Sequence, residues 1–295
     1  MSVEPLPGAS VAAVRSHYDA GNDFYALWLD DRTMSYTAAL YDEDDADDLG
    51  RAQERKLDFH ATAATVAGVE RILDIGCGWG NLLSHMVRRH GVRHAVGLTL
   101  SAKQHAWIAR RGDPRFEARV EHWFDHAPVA PYDAIFSIES IEAFVKPGLT
   151  RAAKVRTYRD LFERCHAWTK PGGRLSFQFI AYGNAFPEDL DSFISSQIFP
   201  ESDLPALSEI AEASERLFEI VSLRNDRAHY ATTLRAWLAR LKARRTEAVA
   251  LAGEDTVNRY EQYLRLCIYM FVSGGCDLHR VAFRRIDRPR AKKES

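Results

Sequence analysis

Paired cysteine motifs, an excess of basic charge and a long apolar run are all missing from this 295-residue sequence. Each absence closes a class of function. The four cysteines, Cys77, Cys165, Cys267 and Cys276, form no CxxC pair and keep no metal-site spacing with histidine. They read as free thiols of a reducing cytoplasm, and the sequence spells neither a disulfide framework nor a metal site. Lys and Arg number 39 against 41 Asp and Glu, a net charge of -2, which argues against nucleic acid as a partner. The longest apolar stretch, "LCIYMFV", is far shorter than the ~20 residues that cross a bilayer. The opening "MSVEPLPGAS" lacks the basic-then-apolar signal pattern. The expectation is a cytoplasmic protein with no transmembrane segment. Peripheral membrane contact stays open because charge can segregate locally, and so does a homo-oligomer. The basic end "RRIDRPRAKKES" reads as a solvated tail.

What is present is the composition of a folded enzyme, 46% apolar and 27% charged, at a length suited to one large α/β domain. The acidic run "DEDDADDLG" reads as a turn whose Asp48 caps the helix "LGRAQERKLDFHATAATV". Strands and helices then alternate. "RILDIG", "HAVGLTL", "FEARV", "YDAIFSI" and "RLSFQFI" read as strands, with "NLLSHMVRRH", "SAKQHAWIARR" and "KVRTYRDLFERCHAWT" as helices between them, the last ending at "KPGG". That alternation predicts a doubly wound, mostly parallel α/β sheet. "RLFEIVSLRND" and "HRVAFRRI" read as closing strands, the last as an antiparallel edge. The predicted map is a single domain over 1–295: an N-terminal helical lid at 10–70, a cofactor-binding core at 71–180, a lid insert at 181–217, and at 218–286 the rest of the core with a helical acceptor-pocket wall.

"LDIGCGWGNL" carries the most information. A strand ends at Asp74, and Gly76, Gly78 and Gly80 open a helix, so a ligand can lie against bare backbone. The spacing is G-x-G-x-G, not the dinucleotide pattern, and Thr99 and Leu100 stand where the second strand of a dinucleotide fold would end in an acid. Asp74 would repel a diphosphate and suits an amino group, as in the amino-acid end of S-adenosylmethionine.

Another question is posed by "YDAIFSIESIEAF", where a core strand runs out into two glutamates, Glu139 and Glu142, three residues apart. Carboxylates at the carboxyl end of a parallel strand lie where ligands bind in such folds. One of the two is expected to do chemistry, and the residues alone do not say which.

With these motifs the sequence resembles the family of cyclopropane-fatty-acid synthases and mycolic-acid cyclopropane synthases. The resemblance runs from "SHYDAGNDFYALWLD" and "MSYTAALY" through "GLTLSAKQ", "EHWFD" and "SIESIEAF" to "ISSQIFPESDLP", "HYATTLRAWLARL" and "YEQYLRLCIYMFVSG". It implies a class I, Rossmann-like methyltransferase fold with helical lid segments and S-adenosyl-L-methionine as cofactor. Matched motif by motif, it implies cofactor contacts from Tyr36, Thr37, Asp74, Gly76, Gly78, Thr99, Leu100, Gln104, Trp123 and Ile138. The acceptor pocket would draw on aromatic residues, Tyr18, Phe24, Phe199 and Tyr260 among them, with Tyr25 and Phe193 nearby in sequence. The family's bicarbonate base would be held by the Ala38 amide, Glu142, Gln178, the Ile180 N–H and Tyr263. Glu142, Tyr263 and Gln178 are thus the implied catalytic set, while Glu139 stays solvated at the strand end or touches cofactor.

Gln178 replaces a family histidine and Ala38 a family cysteine, which turns the expectation from lipid cyclopropanation toward plain methyl transfer. The leading reading is methylation of an alkene carbon or amine of a largely apolar small molecule, with Glu142 as base or base-orienting residue. The alternative is a true cyclopropane synthase acting on unsaturated acyl lipid with bound bicarbonate. A third, from another class, is a non-catalytic cofactor-binding partner subunit.

Overall fold

The computed structural model describes residues 8–10, 21–42, 48–189 and 201–288. Its centre is a seven-stranded sheet. Strand β1 (Arg71–Ile75) is followed by helix α3 (Asn81–Arg89), β2 (His94–Thr99), α4 (Ala102–Ala109), β3 (Phe116–Val120), β4 (Tyr132–Ile138), α5 (Arg151–Trp168) and β5 (Thr169–Tyr182). Ahead of them stand α1 (Asn22–Ala26) and α2 (Leu49–Ala63). After them come α6 (Leu207–Ser214), β6 (Phe218–Asn225), α7 (Arg227–Ala243), α8 (Arg245–Ala252), α9 (Glu254–Ser273) and β7 (Cys276–Arg285).

The central strands are buried in unbroken runs, as in β1 and β4, because helices cover both faces of a parallel sheet. Local sequence sets the helix starts. The Asp48 side chain accepts from the Arg51 N–H at 3.0 Å at the head of α2, and Ser101 accepts from Gln104 N–H at 3.3 Å at the head of α4. Such caps are worth about 1 kcal/mol each.

The strand order is β3-β2-β1-β4-β5-β7-β6. All neighbours are parallel except those of β7, which runs antiparallel to both β5 and β6. From β1 the chain winds outward through β2 and β3, then returns to lay β4 on the other side of β1. The direction of winding therefore reverses between β1 and β4, and a crevice opens beyond their carboxyl ends. The glycine loop follows one of these strands and Glu139 the other.

Two expectations are corrected. The closing strand is antiparallel but is not the edge: β7 inserts between β5 and β6 and leaves β6 outermost. "TKPGG" belongs to β5 instead of ending the preceding helix. Of the expected lid insert, the first residues continue β5, and 201–217 ends in α6, which packs on α5. There the buried Lys154 ammonium joins Asp203 at 2.9 Å and Glu209 at 3.5 Å. Tyr18, Phe193 and Phe199 lie outside the described residues.

Beside the sheet, α1, α7 and α9 enclose an aromatic cluster. Phe24, Tyr25, Trp28, Trp237 and Tyr260 are buried in it, and Tyr36 packs against them. Among the described residues, no helix is long and apolar enough to cross a membrane.

Candidate active site

A pocket with an empty volume of about 540 Å³ opens at the crevice. Its wall is made by Tyr36 and Thr37 from the segment before α2, Lys56 of α2, Asp74, Gly76, Gly78 and Trp79 of the glycine loop, and Ile138 and Glu139 at the end of β4. The loop rests on β2, since the N–H groups of Gly76 and Cys77 both reach the Leu98 carbonyl, at 3.0 and 2.9 Å.

The two glycines serve different ends. Gly76 has φ 85°, and a Cβ there would meet Ser140 Cβ at 2.4 Å, so this glycine lets the loop pass close to the turn after β4. Gly78 has φ 52° and nothing within 4 Å of a Cβ, so the bare backbone facing a ligand is at Gly78. Asp74 is almost fully buried, lines the pocket, and has Oδ1 without a hydrogen-bond partner. Burial pushes its carboxyl up to about 7, with the Lys56 ammonium opposing. An unpartnered buried carboxylate oxygen beside open glycine backbone asks for a cationic N–H donor, and the amino group of S-adenosylmethionine fits that demand.

Lys56 was not singled out from the sequence. Its ammonium is buried, donates to Thr37 Oγ1 at 2.9 Å and is pulled down to about 8 by burial. A signal for it does exist in the chain: Gln53, Lys56 and His60 recur at helical spacing on the same buried face of α2 as Ala52, Leu57 and Ala61.

Thr99, Leu100, Gln104 and Trp123 are not part of the pocket wall but cluster at the neighbouring strand ends. Thr99 Oγ1 donates to Gln104 Oε1 at 2.7 Å, which leaves Gln104 Nε2 buried without a partner. Trp123 is buried in a 3₁₀ turn against Phe144, with ring centroids 5.3 Å apart, and its Nε1 also has no partner.

Glu139, not Glu142, collects the donors. Its Oε1 accepts from the Ala38 N–H at 2.8 Å and from Gln178 Nε2 at 2.6 Å, and its Oε2 from the Tyr230 hydroxyl at 2.7 Å. The backbone at Glu139 has φ 51°, a left-handed conformation that costs a non-glycine residue of order 1 kcal/mol and turns the side chain into the crevice. Glu142 Oε1 accepts only the Ile180 N–H, at 2.6 Å, and Oε2 is buried without a partner. Burial, and then the charge of Glu139, push Glu142 up to about 8. Burial also raises Glu139, but Tyr230, Ala38, Gln178 and Lys56 all pull it back. The net effect on Glu139 is still upward, but its donors oppose burial where Glu142 has little to do so, and Glu142 is the acid pushed toward the protonated form near neutral pH.

A buried polar network fixes which way Gln178 points. Arg280, fully buried on β7, donates from Nε to Gln178 Oε1 at 2.7 Å and pairs with Asp226 through Nη1. Arginine only donates, so the amide oxygen must face it and the amide N–H₂ must face Glu139. His60 Nε2 stands 3.1 Å from the same amide oxygen and Nδ1 2.8 Å from Ser176 Oγ. Burial holds this imidazole well below its ordinary pKa. A neutral ring protonated on Nε2 satisfies both contacts.

The implied anion site is therefore already filled. The Ala38 and Gln178 donors end on Glu139, and the Ile180 N–H ends on Glu142, so these residues do not fit a separate bicarbonate. Tyr263 is turned elsewhere, its hydroxyl 3.3 Å from that of Tyr36, and the hydroxyl that reaches the carboxylate belongs to Tyr230, which the sequence reading missed. Tyr36 and Trp79 of the pocket wall are backed by the buried aromatic cluster: Tyr25 lies 5.3 Å from Tyr36 and 5.1 Å from Trp79 between ring centroids, and Phe24 5.0 Å from Tyr260 behind them.

Comparison with known proteins agrees with this geometry. A family model described as mycolic acid cyclopropane synthetase matches residues 8–281. Cyclopropane mycolic acid synthase 2 of Mycobacterium tuberculosis is 34% identical over 281 residues, 88% of this chain and 90% of that protein. Hydroxymycolate synthase MmaA4 of the same species is 30% identical over 288 residues, 92% and 91% of the two chains. The solved mycolic acid cyclopropane synthase CmaA1, complexed with SAH and CTAB, matches with a TM-score of 0.84 at 28% identity, covering 96% of this chain and 100% of that one.

Proposed function

The chain belongs to the mycolic acid cyclopropane synthetase family of S-adenosylmethionine-dependent enzymes, and from that premise we propose that it methylates an alkene carbon or amine of a largely apolar acceptor with Glu139 as base. Its sheet, with helices on both faces, is the Rossmann-like methyltransferase fold. The observation that carries the proposal is the convergence of the Ala38 N–H, the Gln178 amide and the Tyr230 hydroxyl on one carboxylate at the mouth of the cofactor pocket.

When bound, S-adenosylmethionine supplies an electrophilic methyl group on a sulfonium. The chain's own residues do the rest. Asp74 takes the ammonium end, and Gly78 lets the ligand lie on bare backbone. Tyr36 and Trp79, whose faces bound the pocket, favour the positive sulfur and any positive charge that develops on the acceptor. Attack by an alkene on that methyl would form a carbon–carbon bond as the carbon–sulfur bond breaks, releasing S-adenosylhomocysteine and leaving a cation on the acceptor. Glu139, held in place by three donors, takes the proton whose loss quenches that cation or neutralises a methylated amine. General bases of this kind contribute ~10²–10⁴-fold. Glu142, protonated, adds no second negative charge beside the base.

In this reading Glu139 does the work the family assigns to bicarbonate. The CTAB bound beside SAH in the related synthase, an alkyl detergent, supports an acceptor with a long apolar chain. We place the protein in the cytoplasm, in keeping with its four unpaired cysteines.

Incubation with cofactor bearing a trideuterated methyl group tests the chemistry. An acceptor that keeps all three deuterons has been methylated at an olefin or heteroatom, and one that keeps two has lost its proton from the added methyl, as cyclopropanation requires. No label in any apolar alkene or amine offered, despite cofactor binding, would favour a non-catalytic subunit.

A further inference from the structure

Away from the pocket, on the outer side of α2 and α3, three side chains converge in a way the reaction does not use. Asp58 on α2 holds Oδ1 at 2.8 Å from His85 Nε2, on α3, and at 2.8 Å from His90 Nε2, at the C-terminal cap of α3. The three ligand atoms lie within 4.8 Å of one another. The side chains of Asp58, His85 and His90 are 33%, 11% and 21% exposed, so the cluster is sheltered but open to water on one side. Beside it stands the cation of Arg89, whose Nε is 3.3 Å from the same oxygen and whose side chain is 60% exposed.

From this we infer that Asp58, His85 and His90 form a transition-metal site of the Zn²⁺ or Co²⁺ class that clamps α2 to α3. Two imidazole nitrogens and one carboxylate oxygen suit a borderline divalent cation, whereas Ca²⁺ and Mg²⁺ require oxygen ligands. Tetrahedral bonds of about 2.0–2.1 Å separate ligand atoms by roughly 3.3 Å, so each imidazole nitrogen need part from the Asp58 oxygen by only about half an ångström, and the two nitrogens already lie within 4.8 Å of each other. The exposed side supplies room for water as a fourth ligand, and the exposed Arg89 side chain can swing outward as the cation enters.

The placement gives such an ion an effect. Asp58 sits two residues from Lys56, which lines the cofactor pocket, and α3 begins directly after the glycine loop. A clamp between these helices holds two walls of the pocket in register.

The test uses the full chain without a histidine tag, stripped with chelator and titrated calorimetrically with ZnCl₂, with CoCl₂ as a visible-absorption probe of nitrogen ligation. One equivalent is expected to bind and to raise the melting temperature. His85→Gln/His90→Gln should weaken binding at least tenfold, on the order of known losses around metal sites. Arg89→Gln removes the competing cation and should tighten binding severalfold, and because this side chain is exposed the variant tests the site even if the histidine variant folds poorly. No heat or absorption in the wild type, or equal affinity in all three proteins, would overturn the site and leave a hydrogen-bonded cluster.

Discussion

Glu142→Gln keeps the shape of the side chain and an acceptor for the Ile180 N–H at 2.6 Å, and removes one ionisation. In the folded wild type that ionisation is displaced from 4.5 to about 8, by burial first and the neighbouring Glu139 charge second. Such a displacement corresponds to at most about 5 kcal/mol. The folded state holds a proton that the unfolded chain releases near 4.5. The stabilisation from that proton is therefore complete below about 4.5, declines through the interval and is gone above about pH 8. The glutamine variant mimics the protonated acid at every pH and lacks this dependence. Urea unfolding of both proteins at several pH values between about 5 and 8 should show the wild type losing up to about 1.4 kcal/mol per pH unit relative to the variant. Parallel stability curves would mean that Glu142 titrates like an ordinary surface carboxylate, and the assignment of a neutral Glu142 would be wrong.

Further outcomes rest on the same geometry. Gly78→Val, whose side chain enters the open space at the pocket, should bind S-adenosylmethionine at least tenfold more weakly by calorimetry while losing only about 1–2 kcal/mol of stability from its left-handed backbone. Gly76→Ala should instead damage the fold, because its Cβ meets Ser140, and thermal melting would register it. Tyr230→Phe removes the hydroxyl at 2.7 Å from Glu139, so turnover should fall about tenfold and the acid limb of the pH–rate profile should move to higher pH. Added bicarbonate should leave wild-type turnover unchanged yet rescue Glu139→Gly, which frees the Ala38, Gln178 and Tyr230 donors. A bicarbonate-dependent wild type would restore the ion as base.

Much of the fold was legible because it is written locally. The strand–helix alternation, the Asp48 cap and the glycine loop depend on residues close in sequence, and all are found as read. The place of β7 was not legible, since its partners, β5 and β6, are chosen by long-range packing. The choice between Glu139 and Glu142 was not legible for the same reason. Both stand at the end of β4, but the donors that distinguish them come from Ala38, Gln178 and Tyr230, on three distant segments. The resemblance implied an anion among these donors, and in the proposed reading the Glu139 side chain takes that place.

The most direct measurement is turnover of an accepted substrate, with cofactor affinity measured in parallel, for Glu139→Gln and Glu142→Gln. With Glu139 as the base, Glu139→Gln loses ~10²–10⁴-fold in turnover with cofactor binding nearly intact, while Glu142→Gln keeps most of its activity. Full turnover in Glu139→Gln, or a loss of that size confined to Glu142→Gln, would contradict that role.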